Sequence, residues 1–197
     1  MSAGGAAGGG NVAGGAGGIG RAKDNRDGGD GGSRAARTLR LEPLTAAEFA
    51  AFGEVIEITG TPDKLINQGM CGRHHDLARL DFGDGAAGIS LFNAEARQLP
   101  YVVELVERHP EGSQAFIPLN QVPMMVIVAT DNAGTPAGLR AFLSQPGQSV
   151  NLHRGIWHGV LAPFEAPGQY AVIDRIGEGG NLEEHWFSAP YTVKSDQ

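Results

Sequence analysis

The chain predicts an all-β domain of antiparallel strands, a sandwich or barrel, with one or two short helices. Three observations carry that expectation. Roughly ten short apolar stretches follow one another, each with the length and alternation of a strand. Clusters of turn-forming residues separate many of them, among them His109-Pro110-Glu111-Gly112, Asp131-Asn132-Ala133-Gly134 and Ala166-Pro167-Gly168. Between them lies no helix of the length a parallel crossover needs.

The 197 residues suffice for one domain with a proper core. Residues 1–36 stand apart: they hold a large share of the 31 glycines, with alanines and almost no large apolar side chain. Such a segment buries too little surface to offset its ordering entropy, so 1–36 is expected to be a disordered extension and 37–197 the folded domain. It lacks the apolar core of a secretory signal, and Asp24, Asp27 and Asp30 argue against a transit peptide. A net charge of -7 and a pI near 5.3 argue against nucleic acid as partner. No apolar run reaches the roughly 18 residues of a membrane-spanning helix. The single cysteine, Cys71, rules out an intramolecular disulfide and fits a reducing compartment, so the cytoplasm is expected. For Cys71 itself packing is the favoured reading over a reactive thiol.

Thr38 to Leu44 reads as a first strand, ended by Pro43. Thr45-Ala46-Ala47-Glu48 has the spacing of a capping box, with Thr45 as N-cap and Glu48 reaching back to its amide. The helix behind it is short, with Phe49 and Phe52 as its buried side and Gly53 as its stop. Glu54 to Ile58 predicts a strand and Gly60 to Gly72 a loop with Asn67-Gln68-Gly69 at its apex. Beyond Gly83-Asp84-Gly85 come the strands Gly88–Asn93, Tyr101–His109, Gln114–Leu119, Met124–Ala129, Leu139–Leu143, Val150–His153, Ile156–Leu161, Tyr170–Ile176 and Leu182–Phe187. Leu99 to Val106 also fits an amphipathic helix.

The stretch from Pro146 to Gly159 is densest in chemistry. Val150 and Leu152 alternate with Asn151 and His153, which puts the two polar side chains on one strand face. Arg154-Gly155 breaks the alternation, and Ile156-Trp157-His158 resumes it with Trp157 and His158 on opposite sides. A lone histidine is more often a hydrogen-bonded core residue than a catalyst. Two beside Arg154 point to a site. Arg73 carries a planar fork that suits a carboxylate. His109 and Gln114 flank a turn, Ser90 interrupts an apolar strand and Asp174-Arg175 ends another. Polar side chains set into apolar strands line cavities, because burying one unpaired costs on the order of 1 to 3 kcal/mol.

Ile66-Asn67-Gln68-Gly69, Gly88-Ile89-Ser90-Leu91-Phe92, Glu107-Arg108-His109-Pro110 with Gly112-Ser113-Gln114-Ala115-Phe116, Val150 to His158, and Asp174-Arg175 through Asn181-Leu182-Glu183-Glu184 together resemble the ureidoglycolate lyase family, from about Leu41 to Val193. The resemblance implies a cupin-like antiparallel barrel, a homodimer, and the cleavage of (S)-ureidoglycolate to glyoxylate and urea in allantoin breakdown. Leu152 and Gly159 depart from the family pattern, where a tyrosine and another histidine are common.

That reaction is a retro-addition of a carbinolamine and needs no redox cofactor. One base takes the hydroxyl proton and one acid returns a proton to the departing nitrogen, a contribution of about 10² to 10⁴ in rate. His153 and His158 are the expected pair. Arg73, Arg154 and Arg175 are candidates for the substrate carboxylate, and Asn67, Gln114 and Ser90 for the ureido group. A divalent metal is an option the chemistry does not require; its expected ligands are His109, His153 and His158. Two other readings compete: a non-catalytic cupin-like module that binds small acids, and a metal-dependent cupin oxygenase.

Overall fold

The computed structural model describes residues 24–26 and 37–195. The head expected to be disordered lies outside the described residues, except for Asp24–Arg26, a short strand (β1). There follow β2 (Arg37–Pro43), α1 (Ala46–Phe49), β3 (Gly53–Ile56), β4 (Lys64–Ile66), β5 (Cys71–Arg73), β6 (Ala86–Ala94), β7 (Tyr101–Arg108), β8 (Gln114–Pro118), β9 (Met124–Asn132), β10 (Thr135–Leu143), β11 (Ser149–Leu152), β12 (Trp157–His158), β13 (Ala162–Pro163), β14 (Gly168–Ile176) and β15 (Glu183–Lys194). The expected all-β, cupin-like barrel is what forms.

Strands β15, β2, β10, β9, β12 and β7 pair in that order, and β7 pairs again with β15, so six strands close into a ring. A second sheet, β3-β11-β8-β14-β6, packs against it. Pairing is antiparallel except at β1 and at β2, which runs parallel to both β10 and β15. No hairpin joins β2 to either neighbour, so no tight turn dictates its direction.

β9 explains how the two layers share a core. Its residues Met124 to Ala129 are buried without a break. Met124, Val126 and Val128 face the second sheet and join Phe116, Val150, Leu152, Tyr170 and Val172. Ile127 and Ala129 face the inside of the ring with Val103, Trp157 and Phe187. A strand covered on both faces reads as a continuous apolar run instead of an alternation.

At α1 the Thr45 hydroxyl accepts the Glu48 amide at 3.3 Å, as the capping box requires. Its second half is absent: the Glu48 carboxylate pairs with Arg140 at 2.7 Å, and Glu42 binds the same guanidinium. Phe49 and Phe52 are buried against Phe142. Gly53 matters less as a helix stop than as a point of close approach, since a Cβ there would lie 1.8 Å from the Asn151 carbonyl oxygen.

The strand expected at Tyr101 to His109 forms as β7, held between β12 and β15, and the helical alternative for Leu99 to Val106 is set aside. One expectation is corrected. The loop expected from Gly60 to Gly72 contains β4 and β5, a hairpin closed by a 3-10 turn at Asn67–Gly69. Asn67 and Gln68 both take positive φ, 50° and 59°, which doubles the chain back on itself.

Candidate active site

β12 is only two residues long, yet it decides the chemistry. It lies between β9 and β7, with His158 opposite both Val128 and Glu107. Strand alternation sends Trp157 into the ring, where it packs beneath Arg108 and donates to Asp131 at 2.8 Å. His158 goes the other way, toward Phe116. Glu107 shares that face, and His109, two residues further on, reaches the same place.

Glu107, His109 and His158 offer ligand atoms that all lie within 4.8 Å of one another. The His158 Nδ1 donates to the Gly159 carbonyl at 3.1 Å, and His109 Nδ1 to the Asn181 carbonyl at 2.6 Å. Each backbone acceptor fixes the tautomer, leaving the lone pair on Nε2. Both Nε2 atoms are buried without a hydrogen-bond partner. Two imidazoles whose Nε2 atoms have no protein partner, beside a carboxylate, are a donor set that fits a divalent metal, with the carbonyls holding the rings in place.

The electrostatics hold His158 neutral. Burial pushes the His158 pKa down to about 3, and the neighbouring His109 pushes the same way. Burial holds the Glu107 carboxyl above its ordinary range; Glu184 adds to the rise, while His109 opposes it.

Around this cluster the structure places some of the expected residues and removes others. Gln114 is buried and donates to Asp174 at 3.3 Å; its own oxygen and one Asp174 oxygen remain unpartnered. Ser90 sits opposite Val172, on the strand face that looks inward. Arg175, with a side chain only 4% exposed, binds Asp84 at 2.6 Å and Glu111 at 3.3 Å. Arg154 binds Asp81 at 2.7 Å on the rim.

His153 does not join His158. Val150 and Leu152 point into the core, so Asn151 and His153 lie on the other face of the second sheet. There both hold Glu54, His153 at 3.0 Å and Asn151 at 2.8 Å. The expected metal set of His109, His153 and His158 is therefore corrected at its middle member, where Glu107 stands. Asn67 and Arg73 sit on the β4–β5 hairpin, and the Arg73 guanidinium donates to His75 at 2.9 Å. Glu107 carried its own signal: it is two residues before His109 in a predicted strand, hence on the same face.

A closed six-strand barrel with Glu107, His109 and the buried His158 gathered between it and the second sheet defines a cupin-like protein. The chain belongs to the ureidoglycolate lyase family, whose model matches residues 36–194. It is 62% identical to the ureidoglycolate lyase of Rhodobacter capsulatus over 79% of this chain and 98% of that one. It is 46% identical to ureidoglycolate lyase 2 of Rhizobium meliloti, covering 79% and 97%. It is also 46% identical to the ureidoglycolate lyase of Chelativorans sp., covering 77% and 93%.

Proposed function

We propose that this chain cleaves (S)-ureidoglycolate to glyoxylate and urea, in the cytoplasm and as a homodimer. The observation that carries the site is the pair of buried, unpartnered Nε2 atoms of His109 and His158 beside Glu107. The hydroxyl proton leaves the substrate, the C–N bond breaks, the carbonyl of glyoxylate forms and the urea nitrogen gains a proton. Protons and electrons balance without an oxidant.

With no metal in the cluster, His158 Nε2 is the acceptor for the hydroxyl proton. Burial disfavours the imidazolium so formed, which favours handing the proton on to the departing nitrogen. Glu107, with its raised pKa, is the second group on that face able to hold a proton. Gln114 and Ser90 offer amide and hydroxyl partners to the ureido group. Should a divalent metal occupy the cluster, His109, His158 and Glu107 hold it and it polarises the substrate hydroxyl. A cavity of about 20 Å³ beside His158, walled by Phe116, Met124 and Val150, is far too small for the substrate. Entry is therefore on the Glu107 side, where the carboxylate is partly exposed.

Family membership favours the lyase over a binding module or an oxygenase. Incubation with racemic ureidoglycolate tests it: glyoxylate and urea in equal amounts, with half the racemate consumed, are expected. Ammonia in place of urea, or binding without product, overturns the reading.

A further inference from the structure

From residue 58 to residue 93 the chain is ordered, yet none of its residues is buried. The segment holds the β4–β5 hairpin and the edge strand β6. It also holds eight of the fourteen large apolar side chains that the described residues expose, among them Leu65 at 62%, Met70 at 87%, Ile89 at 74% and Leu91 at 75%. A two-stranded hairpin is marginal in water by itself. Among the described residues this one makes extended contact only with its own connecting turn. β6 pairs with β14 on one side and leaves its other edge open.

The site shows a matching lack. Its substrate is an acid, but the two arginines at its rim are already taken, Arg154 by Asp81 and Arg175 by Asp84 and Glu111. The hairpin carries Lys64 and Arg73, and among the described residues the Arg73 guanidinium meets the ring of His75 and no carboxylate. Lys64 and Arg73 lie opposite one another on the hairpin, whereas the arginines of the site are surrounded by the carboxylates of Asp81, Asp84 and Glu111.

We propose, building on the lyase reading, that a second copy of this chain covers residues 58–93, and that each copy's hairpin carries Arg73 and Asn67 to the site of the other. The segment is long enough for the roughly 20 to 30 residues that a standard interface uses on each side. A two-fold pairing lets one apolar strip cover its own equivalent, and each arm then serves the opposite site. The partner's Arg73 supplies the planar fork for the substrate carboxylate.

Sedimentation equilibrium on the full chain gives the first readout and does not depend on activity. A dimer is expected, and both Leu65→Asp/Met70→Asp and Ile89→Asp/Leu91→Asp should shift it to monomer. A monomeric parent chain, or arm variants that dimerise as tightly as the parent, overturns the proposal.

Mixed dimers give the second readout. Arg73→Ala and His158→Asn, each inactive alone, are co-refolded in equal amounts. Half the dimers are then mixed with one intact site apiece, so about one quarter of the parent activity returns. No recovery, or an Arg73→Ala homodimer as active as the parent, shows that each site is complete within its own chain and overturns the exchange. Glu107→Gln replaces His158→Asn if the latter does not fold. If the parent chain itself releases no glyoxylate, the lyase reading fails while sedimentation still decides the interface.

Discussion

The rings of His109 and His158 lie 5.3 Å apart between centroids and 33° from parallel, each with Nδ1 tied to a backbone carbonyl. The two carbonyls come from beside the two strands that flank β7: Gly159 follows β12 directly, whereas Asn181 precedes β15. The Asn181 side chain also accepts the Glu111 amide at 2.8 Å, so one residue holds both the His109 ring and the turn that follows it. Such preorganisation leaves little for the site to rearrange when charge develops.

The first consequence separates the two histidines of the Pro146 to Gly159 stretch. His158→Gln is expected to lower kcat for glyoxylate release by about 10² or more, the scale of one general acid–base group. His153→Gln removes only the contact with Glu54 on the other face of the sheet. Its loss should stay under about tenfold, less than one such group supplies. Steady-state assays of both variants under the same conditions compare them directly.

The donor set makes a second outcome measurable without turnover. Titration of the chelator-treated protein with a divalent ion such as nickel or manganese should show one site per chain. Glu107→Gln should weaken it by about ten-fold or more, as loss of a charged ligand does. His153→Gln should leave it unchanged.

Much of this was legible beforehand, and the misses have physical causes. Turn chemistry and alternation revealed the strands, and the opposite directions of Trp157 and His158 followed from period two alone. What alternation does not give is which face is covered. The step from Leu152 to His158 passes from one sheet to the other through Arg154-Gly155, so His153 and His158 share a segment but not a cavity. The hairpin at Lys64 to Arg73 was hidden because it has no buried side to produce a pattern. Gly53 looked like a helix stop, while its necessity comes from the Asn151 carbonyl, a contact between residues far apart in sequence.

The depressed His158 pKa fixes the sign of a pH effect. An unfolded histidine titrates near 6.5 and the folded one at about 3, so between those values the unfolded chain binds more protons. The stability is fully present above pH 6.5 and drains away as pH falls toward 3. The slope from this one group is at most about 1.4 kcal/mol per pH unit. Thermal melts of the parent and of His158→Gln from pH 7 to pH 4 should therefore converge on acidification. Parallel curves would mean that His158 is not held neutral by its surroundings.

The two rim arginines are expected to differ in what they do for the fold. Arg154 and Asp81 are both well exposed, at 42% and 50%, and an ion pair in water contributes little because solvent screens it. The Arg175 side chain is 4% exposed and sits where the loops containing Gly85, Gly112 and Gly177 converge, each too close to it to admit a Cβ without a shift. Its hydrogen bond to Asp84 raises its pKa further and lowers that of Asp84. It also donates to the Glu178 carbonyl at 3.4 Å. Removing it opens a gap among those three loops and leaves the Glu178 carbonyl without its donor, although Asp84 and Glu111, at 89% and 44% exposed, return to water as Asp81 does when Arg154 is removed. Arg175→Met should thus lower the melting temperature by several degrees and loosen the loop from Asp81 to Gly85, and Arg154→Met should leave it nearly unmoved. Hydrogen exchange of the Gly83 and Gly85 amides tests this at the site itself: both should exchange faster in Arg175→Met, and equal rates in the parent and this variant would show that the loop is held by its backbone contacts to Ser113 alone.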